Sequence, residues 1–200
     1  MRKSLCIIGA TILLSTAAMA GANSSGAYIG IGFGNTVYED DDFVNEQMMT
    51  SLRDDVDSGV TLYGGYQFNN IVGVELSYRD YGKFEGYSGF SQEPTGISVG
   101  ANLGYSFLDG QLRPFGVVGM GFVKMNYNNL PSYVISLDDT GAAIHYGVGV
   151  QYEPDLLSGL GFRMAYEADS YGIEVQDTLG SDKTYTQTLG MFYLGVQYKF

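Results

Sequence analysis

Apolar side chains recur at every second position along most of this chain. The last stretch, Thr184 to Phe200 (TYTQTLGMFYLGVQYKF), shows it most plainly. Phe192, Leu194, Val196, Tyr198 and Phe200 alternate there with Tyr193, Gly195, Gln197 and Lys199. A period of two sorts residues onto the two faces of a β-strand. Seven more stretches follow. Gly26–Tyr38 sets Ala27, Ile29, Ile31 and Phe33 against glycines, and Ser58–Phe68 carries Val60, Leu62, Tyr66 and Phe68 on one face. Ile71–Lys83 opposes Val72, Val74, Leu76 and Tyr78 to Glu75, Ser77 and Arg79. Thr95–Phe107 opposes Ile97, Val99, Leu103 and Phe107 to Gly96, Ser98, Asn102 and Ser106. Thr140–Tyr152 opposes Ile144, Tyr146, Val148 and Val150 to Ala143, His145, Gly147 and Gln151, and Leu160–Tyr171 puts Arg163, Glu167 and Asp169 on its polar face. Leu112–Tyr127 is apolar on both faces, so the pattern leaves its register open.

The connections alternate in length. Glu39–Asp57, Phe84–Pro94, Asn128–Asp139 and Gly172–Lys183 are long, whereas Asn69-Asn70, Asp109-Gly110 and Glu153–Gly159 are short. Short turns on one rim and long loops on the other suit a membrane barrel. The expected fold is all-β, an eight-stranded antiparallel transmembrane β-barrel in up-and-down meander order. Each stretch has the roughly 9–11 residues that cross a bilayer at a tilt. The loops are then expected to be extracellular and the termini periplasmic. A soluble sandwich or lipocalin-like barrel would keep the apolar face inside and put Glu75, Arg79, Arg163 and Glu167 outside. Alternation alone is blind to that choice. The terminal aromatic strand, the loop asymmetry and the leader favour the membrane barrel.

Met1–Ala20 has the form of that leader. Arg2 and Lys3 precede an apolar run from Leu5 to Leu14, and Ala18-Met19-Ala20 forms a small-x-small cleavage site. The expected organisation is a cleaved signal peptide, 1–20, and one barrel domain, 21–200. Cys6, the one cysteine, falls inside the leader, so the mature chain would hold neither a disulfide nor a thiolate nucleophile. The formal net charge is -12. Loss of the leader removes two of the 10 Lys+Arg and none of the 22 Asp+Glu, leaving about -14. Such acidity argues against a nucleic-acid partner, whose phosphates demand cations. No uninterrupted apolar run reaches the length of a transmembrane helix, so a membrane protein built from this chain must close into a barrel to satisfy its backbone.

The pieces LYGGYQFNNIVGVELSYRDYG (Leu62 to Gly82), ANLGY (Ala101 to Tyr105), YGVGVQYEP (Tyr146 to Pro154) and LGVQYKF (Leu194 to Phe200) resemble, in this order, the OmpA-type transmembrane β-barrel. The resemblance covers nearly the whole mature chain. It implies that the outer-membrane barrel-assembly machinery reads the terminal strand, with Phe200, Tyr198 and Val196 as its signal. Full-length members continue into a periplasmic peptidoglycan-binding domain; this chain stops at the barrel, so cell-wall tethering is not expected of it. The family also carries a lumen gate of two acidic and two basic side chains. By local motif its positions fall on Glu75, Asn102, Gln151 and Arg163, which leaves one acid and one base, with amides in the other two places.

Eight strands leave a lumen just wide enough for side chains to fill. Glu75, Arg79, Asn102, His145, Gln151, Arg163 and Glu167 are expected there as a polar network, because an isolated buried charge costs several kcal/mol. Glu75 and Arg163 are expected to pair across it. No serine neighbours His145, so a catalytic triad is not indicated, and neither a cofactor nor a metal is expected. The first long loop bears Glu39, Asp40, Asp41, Asp42, Glu46, Asp54, Asp55 and Asp57. Such density could hold Ca²⁺ or Mg²⁺, but the spacing matches no EF-hand, and a solvated acidic loop is the simpler reading. Within it Val44, Met48 and Leu52 fall at helical spacing. Expected partners are outer-membrane lipid and lipopolysaccharide, the assembly machinery, and host or cell-surface ligands reached through the loops, with the chain a monomer. The functional expectation is a non-enzymatic envelope-integrity or surface-interaction role. A narrow pore gated by a lumen Glu–Arg pair is the alternative, and a lipid-modifying enzyme a distant third.

Overall fold

The computed structural model describes residues 25–39, 56–85, 91–128, 140–176 and 182–200. The expected leader, 1–20, lies outside them, as do Val44, Met48 and Leu52 and most of the first acidic loop. The strands are β1 (Gly26–Glu39), β2 (Val56–Gln67), β3 (Val72–Asp80), β4 (Phe84–Glu85), β5 (Ser91–Gly104), β6 (Leu112–Asn128), β7 (Thr140–Tyr152), β8 (Leu160–Gln176) and β9 (Asp182–Lys199). All pairings are antiparallel, in the order β3-β2-β1-β9-β8-β7-β6-β5, and a β3–β5 pairing closes the ring. Eight long strands thus form a closed meander barrel, with the two-residue β4 appended to β5. The seam between first and last strands runs from Tyr28↔Lys199 to Glu39↔Thr188, extended by the Phe200 N–H donating to the Ala27 carbonyl at 2.9 Å.

Burial decides which face is inside. Leu194, Val148 and Phe122 are 61%, 65% and 60% exposed, whereas Arg79 and Arg163 are 0% and 1% exposed. A soluble barrel would show the reverse. An apolar outer wall around a polar interior is the arrangement for lipid, where closure pairs every backbone group.

Several boundaries differ from the sequence reading, and the strands outlast it toward the long connections. The stretch Phe84–Pro94, read as loop, contains β4 and the start of β5. Pro94 does not break the ladder, because its backbone points past the end of β3, where its carbonyl accepts from the Tyr81 N–H at 3.0 Å. A proline beside a strand end removes no ladder bond. Similarly, β8 continues to Gln176 and pairs there with Asp182 of β9.

The short turns have distinct chemistries. Asn69 Oδ1 accepts the N–H groups of Ile71 and Val72 at 2.8 and 2.9 Å, an Asx turn. The second turn is centred one residue earlier than Asp109-Gly110. Leu108 and Asp109 take the left-handed conformation (φ 52° and 55°), and the Gly110 N–H donates back to the Phe107 carbonyl at 3.0 Å. The third turn ends on Ser158 and Gly159 with φ 43° and 94°. Around this rim, outward Tyr–Phe pairs two residues apart meet tilted or edge-to-face at Tyr66–Phe68, Tyr105–Phe107 and Tyr198–Phe200, with ring centroids 5.1–5.3 Å apart. The amphipathic tyrosine rings suit a membrane–water boundary.

Candidate functional site

The lumen is the site that the fold builds. Inward positions place Glu75, Ser77, Arg79 and Tyr81 from β3 and its end, Ser98 and Asn102 from β5, His145 and Gln151 from β7, and Arg163, Glu167 and Asp169 from β8. Arg163 crosses from β8 to β3. Its Nη1 and Nη2 donate to Glu75 Oε2 and Oε1 at 2.8 and 2.9 Å, and Nη2 also donates to Glu167 Oε1 at 2.8 Å. Its guanidinium carbon stands 4.3 Å from the ring centroids of both Tyr63 and Phe115, so its apolar faces are covered while its edge is paired. Tyr28 Oη and Asn102 Nδ2 donate to Glu75 Oε2 at 2.6 and 3.2 Å, and Tyr193 Oη donates to Glu167 Oε1 at 2.7 Å.

Nearer the long connections, Arg79 donates to Glu167, to Asp169 Oδ2 at 3.2 Å and to Ser98 Oγ at 3.2 Å. His145 Nε2 lies 3.1 Å from Arg79 Nη2. A guanidinium can only donate, so Nε2 accepts, and the imidazole proton sits on Nδ1, which donates to Asp169 Oδ1 at 2.9 Å. Tyr81 Oη also donates to Asp169. Both ring nitrogens of His145 are thereby engaged, in a side chain that is 1% exposed. Beside this network and toward the long connections the lumen is mixed: Tyr38, Phe84, Val123, Met125, Leu189 and Met191 are buried together with Thr36, Gln92 and Gln187.

The lumen has room for these side chains because glycines flank them. Glu75 pairs in register with Gly65 and Gly100, Arg163 with Gly195, and His145 with Gly119. On β1, a Cβ at Gly32 would lie 2.4 Å from the Tyr193 ring.

Arg113 is the residue that sequence reading missed. The wall Leu112–Tyr127 gave no register, and pairing with β5 and β7 turns Arg113 inward, where it is 5% exposed. Its Nη1 donates to Asn102 Oδ1 and Gln151 Oε1 at 2.7 and 3.1 Å, and its Nη2 to the Ile71 carbonyl at 3.3 Å. The one acid and one base of the four gate positions, Glu75 and Arg163, therefore do not stand alone. Arg113 brings a cation from β6 to the two amides, and Glu167 shares Arg163 with Glu75. At the short-turn end the chain continues from Gln151 to Gln197 to Glu153, at 3.3 and 2.8 Å.

Of the acidic loop set, Asp40, Asp41, Asp42, Glu46, Asp54 and Asp55 lie outside the described residues. Glu39 is exposed at the end of β1. Asp57 is not a freely solvated carboxylate. It accepts the Ser58 N–H at 2.7 Å and the Lys83 N–H, tying the start of β2 to the β3–β4 connection. Gly82 permits this with φ 81°, and a Cβ there would lie 2.6 Å from Asp57 Oδ2. At the other end of the barrel, Val196, Tyr198 and Phe200 all face outward on the closing strand and beyond it.

Residues 6–200 match the family model of the outer membrane protein beta-barrel domain. The chain belongs to this family. Outer membrane protein A of Escherichia coli O157:H7 is 27% identical over 208 residues, covering 100% of this chain and 55% of that protein. The chain thus spans little more than half the length of the curated relatives it matches. Among solved structures, Ail of Yersinia pestis in complex with the heparin analogue sucrose octasulfate matches with a TM-score of 0.54 and 20% identity, covering 88% of this chain and 99% of that one. AlkL, solved by solid-state NMR in lipid bilayers, matches with a TM-score of 0.60 and 17% identity, covering 93% and 95%. These likenesses are of fold. As a member of the family, the chain is an outer-membrane β-barrel of OmpA type.

Proposed function

We propose that this outer-membrane barrel is a sealed, non-enzymatic scaffold that serves envelope integrity or surface interaction through its long, outward-facing loops. The observation that carries this reading is the bridging chain Asp169–Arg79–Glu167–Arg163–Glu75, which spans the lumen from wall to wall with bidentate and charge-assisted bonds. Buried side chains toward the long connections, among them Phe84, Gln92, Met125 and Leu189, fill the lumen further. Catalysis by His145 is disfavoured by its burial and by the engagement of both its nitrogens. In this reading the termini and short turns face the periplasm, the assembly machinery engages Val196, Tyr198 and Phe200, and the barrel works as a monomer among lipid and lipopolysaccharide. Ail has been crystallised with a polysulfated ligand. The first loop here, dense in carboxylates, would repel such a polyanion and favours cationic surfaces instead.

Conductance across a planar lipid bilayer tests the seal. The purified barrel is expected to show no channel events at physiological salt. Regular unitary steps from the wild-type protein would replace the scaffold with a narrow pore gated by the Glu75–Arg163 pair. Lipid A from cells with and without the protein is expected to have identical mass; a difference would restore an enzymatic role.

A further inference from the structure

We propose that His145 is an acid-operated latch on the lumen: a proton taken up at Nε2 transfers Glu167 Oε2 from Arg79 to the imidazole and cuts the bridging chain between Arg79 and Glu167. The inference rests on the reading of the barrel as sealed, and adds to it the condition under which the seal gives way.

His145 is the one histidine of the chain, and histidine is the residue type that ordinarily changes charge between about pH 5 and about pH 8. Its ring is held from two strands. Nδ1 is fixed on Asp169 Oδ1 of β8 at 2.9 Å, and Nε2 accepts from Arg79 Nη2 of β3 at 3.1 Å. The same Nη2 donates to Glu167 Oε2, which stands 3.6 Å from Nε2. Arg79 thus holds ring and carboxylate together, and it can do so only while Nε2 keeps its lone pair. A protonated Nε2 would set one N–H donor against another and bring two positive charges into contact. That contact must break. Asp169 retains the ring through Nδ1, and it retains Arg79 through Nη1 at 3.2 Å, together with Ser98. The Nη2 contact is the one that yields, and closing the 3.6 Å gap to Glu167 Oε2 gives the new N–H its acceptor.

The charges around the ring support uptake. Arg79 on β3 is the cation that touches it, Glu167 and Asp169 on β8 are the carboxylates beside it, and the Tyr81 hydroxyl, just past β3, is bound to Asp169. On β6 its register partner is Gly119, and Gly121 pairs with Ala143, so that strand adds no charge here. The ion pairs of this part of the lumen join two guanidiniums, Arg79 and Arg163, to three carboxylates, Glu75, Glu167 and Asp169. An imidazolium evens that count, so the new charge is not buried unpaired. The same groups therefore have two arrangements that differ by one proton. In the neutral one the chain from Asp169 through Arg79, Glu167 and Arg163 to Glu75 is continuous. In the protonated one Arg79 keeps Asp169 and Ser98, Glu167 is held by His145, Arg163 and Tyr193, and the chain across the lumen is broken at its middle.

The test uses the full barrel in lipid, with ¹⁵N in its single histidine followed by NMR, beside current recordings across planar bilayers at the same pH values. At about pH 8 the ring is expected to carry a proton on Nδ1 alone, without unitary current steps; at about pH 5 both nitrogens are expected to be protonated and steps to appear. The two changes are expected to share one midpoint. His145→Gln, which cannot take up the proton, is expected to stay silent across the range, although the loop carboxylates still titrate in it. The wild-type coincidence stands even if that variant fails to fold. A ring that stays neutral, a ring that titrates while the current stays silent, or steps that appear equally in His145→Gln would overturn the latch. Steps of equal frequency at both pH values would remove the sealed reading itself, and the latch with it.

Discussion

At the scale of single residues, the lumen holds together because each charged group has more than one partner. Glu75 accepts from Arg163, Tyr28 and Asn102, and Arg163 adds Glu167 and two aromatic faces. Removing one member strands the others without water to replace it. Arg163→Ala is expected to cost about 3–5 kcal/mol, the usual penalty for leaving a buried charge unpaired, read from urea unfolding of the barrel in vesicles. In a double-mutant cycle with Glu75→Gln the two changes are expected to be strongly non-additive. Simple additivity would mean that the two groups, though bonded, do not stabilise one another. Both ends of the pair could be named from the sequence, since each sits on a cleanly alternating strand. Arg113 could not, since the apolar positions of its strand alternate with others equally apolar.

At the scale of strands, the decisive feature is the exchange of large for small across neighbours. Eight strands enclose too little volume for an arginine, a tyrosine and a glutamate in one layer unless adjacent inward positions are glycine. Gly65 and Gly100 do this for Glu75, and Gly32 does it for Tyr193. Gly32→Val is expected to lower stability by about 1–3 kcal/mol through overpacking, measured as a reduced unfolding midpoint. Ile31→Val, one residue away on the lipid face, is expected to change it by less than about 1 kcal/mol. Equal effects from the two would mean that the lumen is looser than the burial of Tyr193 indicates. Glycines were visible as a class in the sequence, but which one makes room for which side chain follows from the pairing register.

At the scale of the whole molecule, closure joins the ends of the chain. The terminal strand completes the ring against β1 and presents Val196, Tyr198 and Phe200 outward. If the assembly machinery reads these side chains, Phe200→Ala is expected to cut the amount of folded barrel in outer membranes severalfold. The same variant refolded in detergent should still show the heat-dependent shift in gel mobility of a closed barrel. Equal losses in both settings would make Phe200 a stability residue and remove its role in assembly.

Much of the architecture was legible in the residue order. A two-residue period identifies strands and sorts their faces locally, and connection lengths assign alternate ends. Seven inward polar positions could be listed from that alone, because facing inward is a property of one strand. Partnership is not. Glu75 and Arg163 could be matched because both lie at similar distances from the short turns, but that Glu167 shares Arg163, which amides receive Arg113, and that Asp57 ties β2 to the β3–β4 connection depend on stagger around a closed ring. That stagger is set by the simultaneous pairing of every strand with two neighbours. Even the choice between an apolar core and an apolar coat lies there: alternation is the same in both, and only closure with Arg79 and Arg163 inside shows that the outer wall was made for lipid.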